Sequence, residues 1–281
     1  MNISGSTRLA GVIGWPVAHS RSPLIHNFWL RRHAIDGAYV PLAVSPERLA
    51  DAVRGLPALG FAGANVTVPH KQTVIGGLDF VDESARRMGA VNTIVVGADG
   101  GLSGSNSDGY GFLENLSTGS GWRADAGAAV VIGAGGAARA VSATLQAAGV
   151  AEIRIVNRTG ERAQELARAL GPPLLAVPWE ERNDALQDAA LLVNATSLGM
   201  TGHPTLEIVL DGLSQTAVVN DIVYAPLETP LLAAAAAGGY PVVDGLGMLL
   251  HQARLGFAAW FGHQPDVDQA LRDHIVADLG G

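Results

Sequence analysis

Ala128-Ala129-Val130-Val131-Ile132, followed directly by Gly133-Ala134-Gly135-Gly136-Ala137-Ala138, decides how this chain folds. Five apolar residues in an unbroken run read as a strand buried on both faces, the habit of parallel sheets. The continuation has the spacing Gly-x-Gly-x-x-Ala and opens a helix that the pattern carries to about Ala148 and stops at Gly149. In such a turn the first glycine permits the tight bend and the second lets a pyrophosphate approach the backbone. The small third residue lets helix and strand pack. The helix start then presents N–H groups to the phosphates. A glycine motif alone is weak, but strand before and helix after supply the context that dinucleotide binding requires.

The end of the next strand, Ile153 to Val156, bears on which dinucleotide. An NAD site usually carries an acid there for the ribose 2′-hydroxyl. Here the strand runs into Asn157-Arg158-Thr159, with Arg162 about one helical turn on. Two guanidiniums could clamp a 2′-phosphate, which favours NADP over NAD. The alternative is a pair of solvated arginines at a helix start. A cation there opposes the helix dipole, so Arg162 suggests a compensating anion.

The same rhythm continues through strands at Leu191 to Asn194 and Val218 to Ile222 and a helix at the alanine run near Ala235. Such alternation predicts a parallel, doubly wound sheet. Upstream, strands are expected at Leu9 to Gly14, Ala38 to Ala43, Asn65 to Val68 and Ala90 to Val96. The last forms a hairpin with Leu102 to Ser105 across the turn Asp99-Gly100-Gly101. Helices are expected at Pro23 to His33, at Glu47 to Leu56 after Ser45-Pro46, at Ser84 to Met88 and at Gly109 to Leu116. The fold class is α/β, and 281 residues suggest two domains.

Composition narrows the function. Nearly half the residues are apolar, enough for real cores, and the formal charge of −8 argues against nucleic acid or an anionic membrane as partner. Zero cysteines exclude disulfides, thiolate zinc sites and cysteine nucleophiles. The longest apolar run, Leu231 to Ala237, is too short for a bilayer, and the N-terminus lacks a signal-peptide pattern. A cytoplasmic protein is expected.

Candidate chemistry lies in the first hundred residues. In Asn65-Val66-Thr67-Val68-Pro69-His70-Lys71 the apolar positions alternate with polar ones, and Pro69, lacking an N–H, should end the strand. A strand with hydrogen-bonding side chains on one face and a lysine at its carboxyl end suits the wall of a polar cleft, because α/β sheets bind ligands at that edge. The plainer alternative is a one-sided surface strand with a solvated lysine. Ser20 and Ser22 stand two apart before a helix. Ser22-Pro23 reads as an N-cap with proline at the first helical position, which leaves Ser20 unexplained. Asn92 adds an amide, and Asp108 ends a strand before glycine, where a turn or cap role is common.

Together these segments resemble the shikimate dehydrogenase family. The resemblance covers almost the whole chain: Ser-x-Ser-Pro, Asn65 to Lys71, Gly89-Ala-Val-Asn-Thr93, Asn106-Ser-Asp-Gly109, the glycine loop, Asn157-Arg-Thr159, Asn194-Ala-Thr-Ser197, and Asp244 through Gln252. It implies a discontinuous α/β substrate-binding domain, 1–108 plus 245–281. It also implies a Rossmann-like NADP-binding domain, 109–244, with the active site in a cleft between them. By resemblance, Ser20 and Ser22 bind the substrate carboxylate with Tyr224 nearby, and Asn65, Thr67, Asn92, Asp108 and Gln252 bind ring hydroxyls. Lys71 is the acid/base, paired with Asp108. Gly133, Ala134, Gly135, Gly136 and Ala137 hold NADP with Asn157, Arg158, Thr159 and Arg162, while Ile222 and Gly245 flank the nicotinamide and Glu83 falls at a cofactor position. The reaction implied is reversible reduction of 3-dehydroshikimate to shikimate, by a monomer or homodimer. Ser107 stands where the family usually has threonine, and Asp244 where it often has asparagine. Neither change touches Lys71 or Asp108.

The chemistry is coherent. Hydride delivered to a ketone carbon leaves an alkoxide-like oxygen, and a lysine ammonium there stabilises it and supplies the proton. No metal is expected: His19, His26 and His70 fit no zinc spacing, and the usual cysteine is absent. Two alternatives stand beside this reading. An NAD-preferring quinate/shikimate dehydrogenase is disfavoured by Arg158, Arg162 and Ser22, since quinate users tend to carry threonine at that position. A non-catalytic NADPH-sensing protein would not need both Lys71 and Asp108.

Overall fold

The computed structural model describes residues 3–279. The chain divides into two compact units, 1–107 with 252–281 and 108–251.

The first unit begins with β1 (Arg8–Gly14), α1 (Ser22–Arg32), β2 (Gly37–Ala43), α2 (Leu49–Ala58) and β3 (Phe61–Val66). After them come β4 (Phe80–Val81), α3 (Glu83–Met88), β5 (Thr93–Val96) and β6 (Leu102–Ser105). Its six-stranded sheet has the order β2-β1-β3-β5-β6-β4. β1 runs parallel to β2 and β3, whereas β3–β5 and β5–β6 are antiparallel, so the sheet is mixed. The expected hairpin is present, pairing Thr93 with Ser105 and Val96 with Leu102.

Three local expectations need correction. The third strand is Phe61–Val66 rather than Asn65 to Val68. It lies between β1 and β5 with residues 63–66 all buried, so it is an interior strand and not a one-sided surface one. Val66 is 1 % exposed and Val68 69 %, because the chain leaves the sheet between them, three residues before Pro69. The strand expected from Ala90 begins only at Thr93. Val91 and Asn92 still bond outward through their backbone, Val91 N–H to the Lys71 carbonyl and Asn92 N–H to that of Ser105. Finally, the helix expected over Glu47 to Leu56 starts as a 3-10 turn, Pro46–Arg48, and becomes α-helical at Leu49.

The second unit contains α4 (Asp108–Gly119), β7 (Ala129–Ile132), α5 (Gly136–Ala147), β8 (Ile153–Val156), α6 (Gly160–Leu170) and β9 (Leu174–Val177). It continues with β10 (Leu191–Asn194), β11 (Val218–Asp221), α7 (Pro230–Ala237) and β12 (Val242–Val243). The unit boundary falls within the next helix, α8 (Leu246–Phe261), and α9 (Gln269–Leu279) closes the chain in the first unit. The sheet order is β12-β11-β10-β7-β8-β9, parallel throughout. All four residues of β7 and of β10 are buried, as strands covered on both faces require. Alternate residues serve opposite cores: Val131 and Ile155 pack with Leu145 and Val141 of α5, Val130 and Ile132 with Leu231 and Leu232 of α7. The order steps outward in both directions from β7 and β10, and the crevice at their carboxyl ends is where doubly wound sheets take ligands.

Candidate active site

In the first unit the site is built at the carboxyl end of β3 and the entry to β5. Asn65 is 5 % exposed, and such a carboxamide is tolerated inside only when hydrogen-bonded. Its Oδ1 accepts from the Tyr39 hydroxyl at 2.6 Å, and its Nδ2 donates to the Asn92 carbonyl at 3.0 Å. Tyr39 stacks on His26 at 4.0 Å between ring centroids and 4° between planes, with Trp260 tilted beside both. Burial raises the Tyr39 phenol well above its ordinary value, a nearby Ser22 hydroxyl opposing. Burial also pushes the His26 imidazole down to about 3, the Asn65 side chain opposing. Both rings are therefore neutral at physiological pH.

Asn92, 3 % exposed, has a polarity set by its neighbours. Its Oδ1 accepts from Ser107 N–H at 2.9 Å, Thr93 Oγ1 at 2.8 Å and Ser107 Oγ at 3.1 Å. A backbone N–H can only donate, so the atom facing it must be the amide oxygen. Any ligand contact by Asn92 accordingly runs through its NH₂ group. Ser107 Oγ also reaches Gln252 Oε1 at 3.4 Å, which brings a fourth expected residue to the cluster. Thr67 and Lys71 are half-buried on the loop that leaves β3.

Ser22 does not take the capping role that local preference implies. α1 starts at Ser22 itself, its N-cap is Arg21, and no side chain caps it. Ser20 Oγ instead accepts the Ser22 N–H at 3.4 Å, so the local hydrogen bond belongs to the residue that capping had left unexplained. Ser22 is buried with its hydroxyl near Tyr39. Glu83 is exposed in the first turn of α3, whose N-cap is Asp82, bonded to Ala85 N–H at 2.6 Å. Among the described residues no group of three or more His, Asp or Glu stands close enough to hold a metal ion.

In the second unit, Gly133, Ala134, Gly135, Asn157 and Arg158 line one cavity of about 210 Å³ together with Trp179 and residues 195–198. Gly133 has φ +118°, and a β-carbon there would stand 2.9 Å from the Ala195 carbonyl, so glycine is required. Gly135 and Gly136 face open space at the start of α5. An uncovered helix start beside a guanidinium fits a pyrophosphate-bearing cofactor. Asn157 Nδ2 donates to the Thr159 carbonyl at 2.9 Å and shapes the turn on which exposed Arg158 sits; Arg162 is exposed in the first turn of α6. Ile222 and Gly245 are brought together: Gly245 N–H donates to the Val223 carbonyl, and a β-carbon on Gly245 would fall onto the Ile222 carbonyl. Asp108 begins α4 and is half-buried, and Tyr224 is half-buried just past β11.

One buried network involves residues to which the sequence alone assigns no role. Asp221, wholly buried, accepts from Asn194 Nδ2 at 3.0 Å, Val223 N–H at 3.0 Å and Thr229 Oγ1 at 2.7 Å. Asn194 Oδ1 in turn accepts from the Thr196 N–H and hydroxyl. Burial raises the Asp221 carboxyl, and these donors oppose the shift. The network joins the loop after β10, which lines the cavity of about 210 Å³, to the loop after β11, which carries Ile222. Polar residues at two successive strand ends were its only signal.

Three family descriptions match consecutive stretches: "shikimate dehydrogenase substrate binding domain" over residues 12–94, "shikimate / quinate 5-dehydrogenase" over 120–203 and "shikimate 5'-dehydrogenase C-terminal domain" over 245–272. A relative from Paramagnetospirillum magneticum, a shikimate dehydrogenase (NADP+), is 59% identical across 98% of this chain and 100% of its own length. This chain belongs to the shikimate dehydrogenase family. It is accordingly an oxidoreductase of the shikimate dehydrogenase (NADP+) kind. Among solved structures, shikimate 5-dehydrogenase from Thermus thermophilus in complex with NADP(H) and shikimate matches with a TM-score of 0.85. It is 38% identical and covers 95% of this chain and 100% of that one. A quinate dehydrogenase from Corynebacterium glutamicum in complex with NAD matches with a TM-score of 0.89 at 33% identity, covering 96% and 99%. Proteins of this fold thus include both a shikimate dehydrogenase bound to NADP(H) and shikimate and a quinate dehydrogenase bound to NAD.

Proposed function

We propose that the chain reduces 3-dehydroshikimate to shikimate reversibly, with Lys71 as proton donor and Asp108 as its carboxylate partner. When bound, NADPH supplies the hydride. Gly133 to Ala137 would hold its pyrophosphate at the start of α5, Asn157 to Thr159 and Arg162 its 2′-phosphate, and Ile222 and Gly245 its nicotinamide; Glu83 is retained as a cofactor contact. Ser20 and Ser22 anchor the substrate carboxylate, with Tyr224. Asn65, Thr67, Asn92 and Gln252 orient the ring, and Lys71 places an N–H at the oxygen that gains charge. The substrate-binding part is 1–108 with 245–281 and the NADP-binding part 109–244. The compartment is the cytoplasm, and the enzyme works as a monomer or homodimer without nucleic-acid or membrane partners.

The observation that carries this reading is the tie between the lysine loop and the amide cluster. The Lys71 carbonyl accepts the Val91 N–H at 2.7 Å, one residue from the oriented Asn92. A cationic donor and a fixed amide donor thus stand on adjoining backbone, as a polyhydroxylated ketone would need.

Lys71→Ala tests the assignment. A positioned general acid contributes about 10²- to 10⁴-fold, so kcat should fall by that factor while NADP binding persists. Turnover within a few-fold of wild type would remove Lys71 from the chemistry. Assaying shikimate against quinate, and NADP against NAD, in one series checks the substrate and cofactor choices together.

A further inference from the structure

His70 has no place in the chemistry above, yet it is 1 % exposed on the loop that carries Lys71. We propose that His70 is a positioning residue for Lys71, acting through a hydrogen bond from its Nε2–H to the Val44 carbonyl. The proposal rests on the reading of Lys71 as proton donor.

The path of the main chain carries the argument. After Val66 the chain leaves the sheet and turns, with His70 N–H on the Thr67 carbonyl at 2.9 Å. The His70 carbonyl then accepts Val74 N–H at 2.9 Å and Thr73 Oγ1 at 3.2 Å. The imidazole Nε2 lies 2.7 Å from the Val44 oxygen. A carbonyl can only accept, so Nε2 carries the proton and the tautomer is fixed. Val44 follows β2 directly, and its own N–H reaches Gly14 at 3.2 Å, so it continues the rigid edge of the sheet. On the other side the Lys71 carbonyl is held by Val91 N–H at 2.7 Å.

Two successive residues thus tie one loop to two different neighbours in the order β2-β1-β3-β5. His70 reaches past β1 to the end of β2, and Lys71 reaches the segment entering β5. A lysine stem has four rotatable carbons and cannot aim its own ammonium. Its aim depends on a fixed Cα, and loops at strand ends are otherwise the most mobile part of such a fold. Release of the His70 tether removes the loop's side-chain tie to the end of β2, while the Val91 tie to Lys71 and the turn's own backbone bonds remain.

The experiment compares His70→Gln with His70→Asn. The glutamine amide nitrogen occupies the place of Nε2 and can donate to Val44, whereas the asparagine amide matches Nδ1 and falls short. His70→Asn should lower kcat about 10- to 100-fold, the cost of roughly an ångström of misplacement, with KM for NADP unchanged. His70→Gln should stay within about threefold of wild type, since its donor replaces the lost hydrogen bond. Equal behaviour of the two variants, in either direction, would overturn the proposal. Should His70→Asn fail to fold, the ¹⁵N shifts of the wild-type imidazole decide: a protonated Nε2 supports the tether and an unprotonated one refutes it. Lys71→Ala assayed in parallel separates the two levels. If it keeps turnover, the reading of Lys71 fails whatever His70 does. If it is inactive while Gln and Asn agree, only the tether falls.

Discussion

His26→Phe should flatten the acid side of the stability curve. The imidazole is wholly buried between Tyr39 and the Trp29, Phe257 and Trp260 rings, and burial holds it at about 3 against 6.5 when exposed. Between those values the unfolded chain binds the proton and the folded chain does not, so stability falls as pH drops below 6.5 and levels off near 3. Each pH unit in that window is worth about 1.4 kcal/mol, which makes roughly 2 kcal/mol by pH 5 and about 5 kcal/mol across the window. Against a total of about 5–15 kcal/mol for a typical domain, this is a large term. Phenylalanine keeps the stack on Tyr39 and cannot take the proton. Urea titrations of both proteins at pH 7.5 and pH 5 provide the assay, and carboxylates common to the two cancel in the difference. Wild type should lose about 2 kcal/mol more than the variant over that range. An equal loss in both would refute the claim that His26 is neutral because it is buried.

Arg158→Ala should raise KM for NADP about 10- to 100-fold while leaving NAD almost untouched, because one charge-assisted contact to a 2′-phosphate is lost; equal effects on both cofactors would count against the 2′-phosphate assignment. Gly245→Ala should cost about 1–3 kcal/mol in thermal unfolding and weaken NADP binding, since the new methyl falls onto the Ile222 carbonyl. Asp221→Asn should stay within about 1 kcal/mol of wild type, because the amide oxygen keeps Asn194 and Val223 while the Thr229 hydroxyl reverses to accept. Asp221→Leu, which strands all three donors, should lose about 3 kcal/mol or more by chemical denaturation.

Sequence and structure agree best where local pattern and tertiary role coincide. β7 and the first three residues of β10 are continuous apolar runs because both faces are covered, β8 is broken only by Arg154, and the glycine loop is legible because its backbone demands are written into residue type. β3 lies earlier than local pattern places it, because Asn65 and Thr67 look like the solvent side of an alternating strand. What buries Asn65 is a pair of partners 26 and 27 residues away, Tyr39 and the Asn92 carbonyl, which no local period reveals. The placement of Ser22 has the same origin. Local capping preference assigned Ser22 to the helix, whereas its place beside Tyr39 is set by the packing of α1 against β2. β4 and β12, two residues each, fall below any periodicity, and Trp179, a wall of the cavity beside the glycine loop, carries no local sign of that position.

The two units use one device at the carboxyl edges of their sheets. A side-chain amide or carboxylate is buried at a strand end and its polarity is set by backbone groups that cannot change sign. In the first unit Ser107 N–H fixes Asn92, and the Asn92 carbonyl fixes Asn65. In the second, Thr196 N–H fixes Asn194, whose NH₂ then donates to Asp221 beside the Val223 N–H. Desolvating such groups is costly, and the chain meets that cost on folding rather than on binding. A ligand then encounters donors already aimed, with little left to reorganise as charge develops.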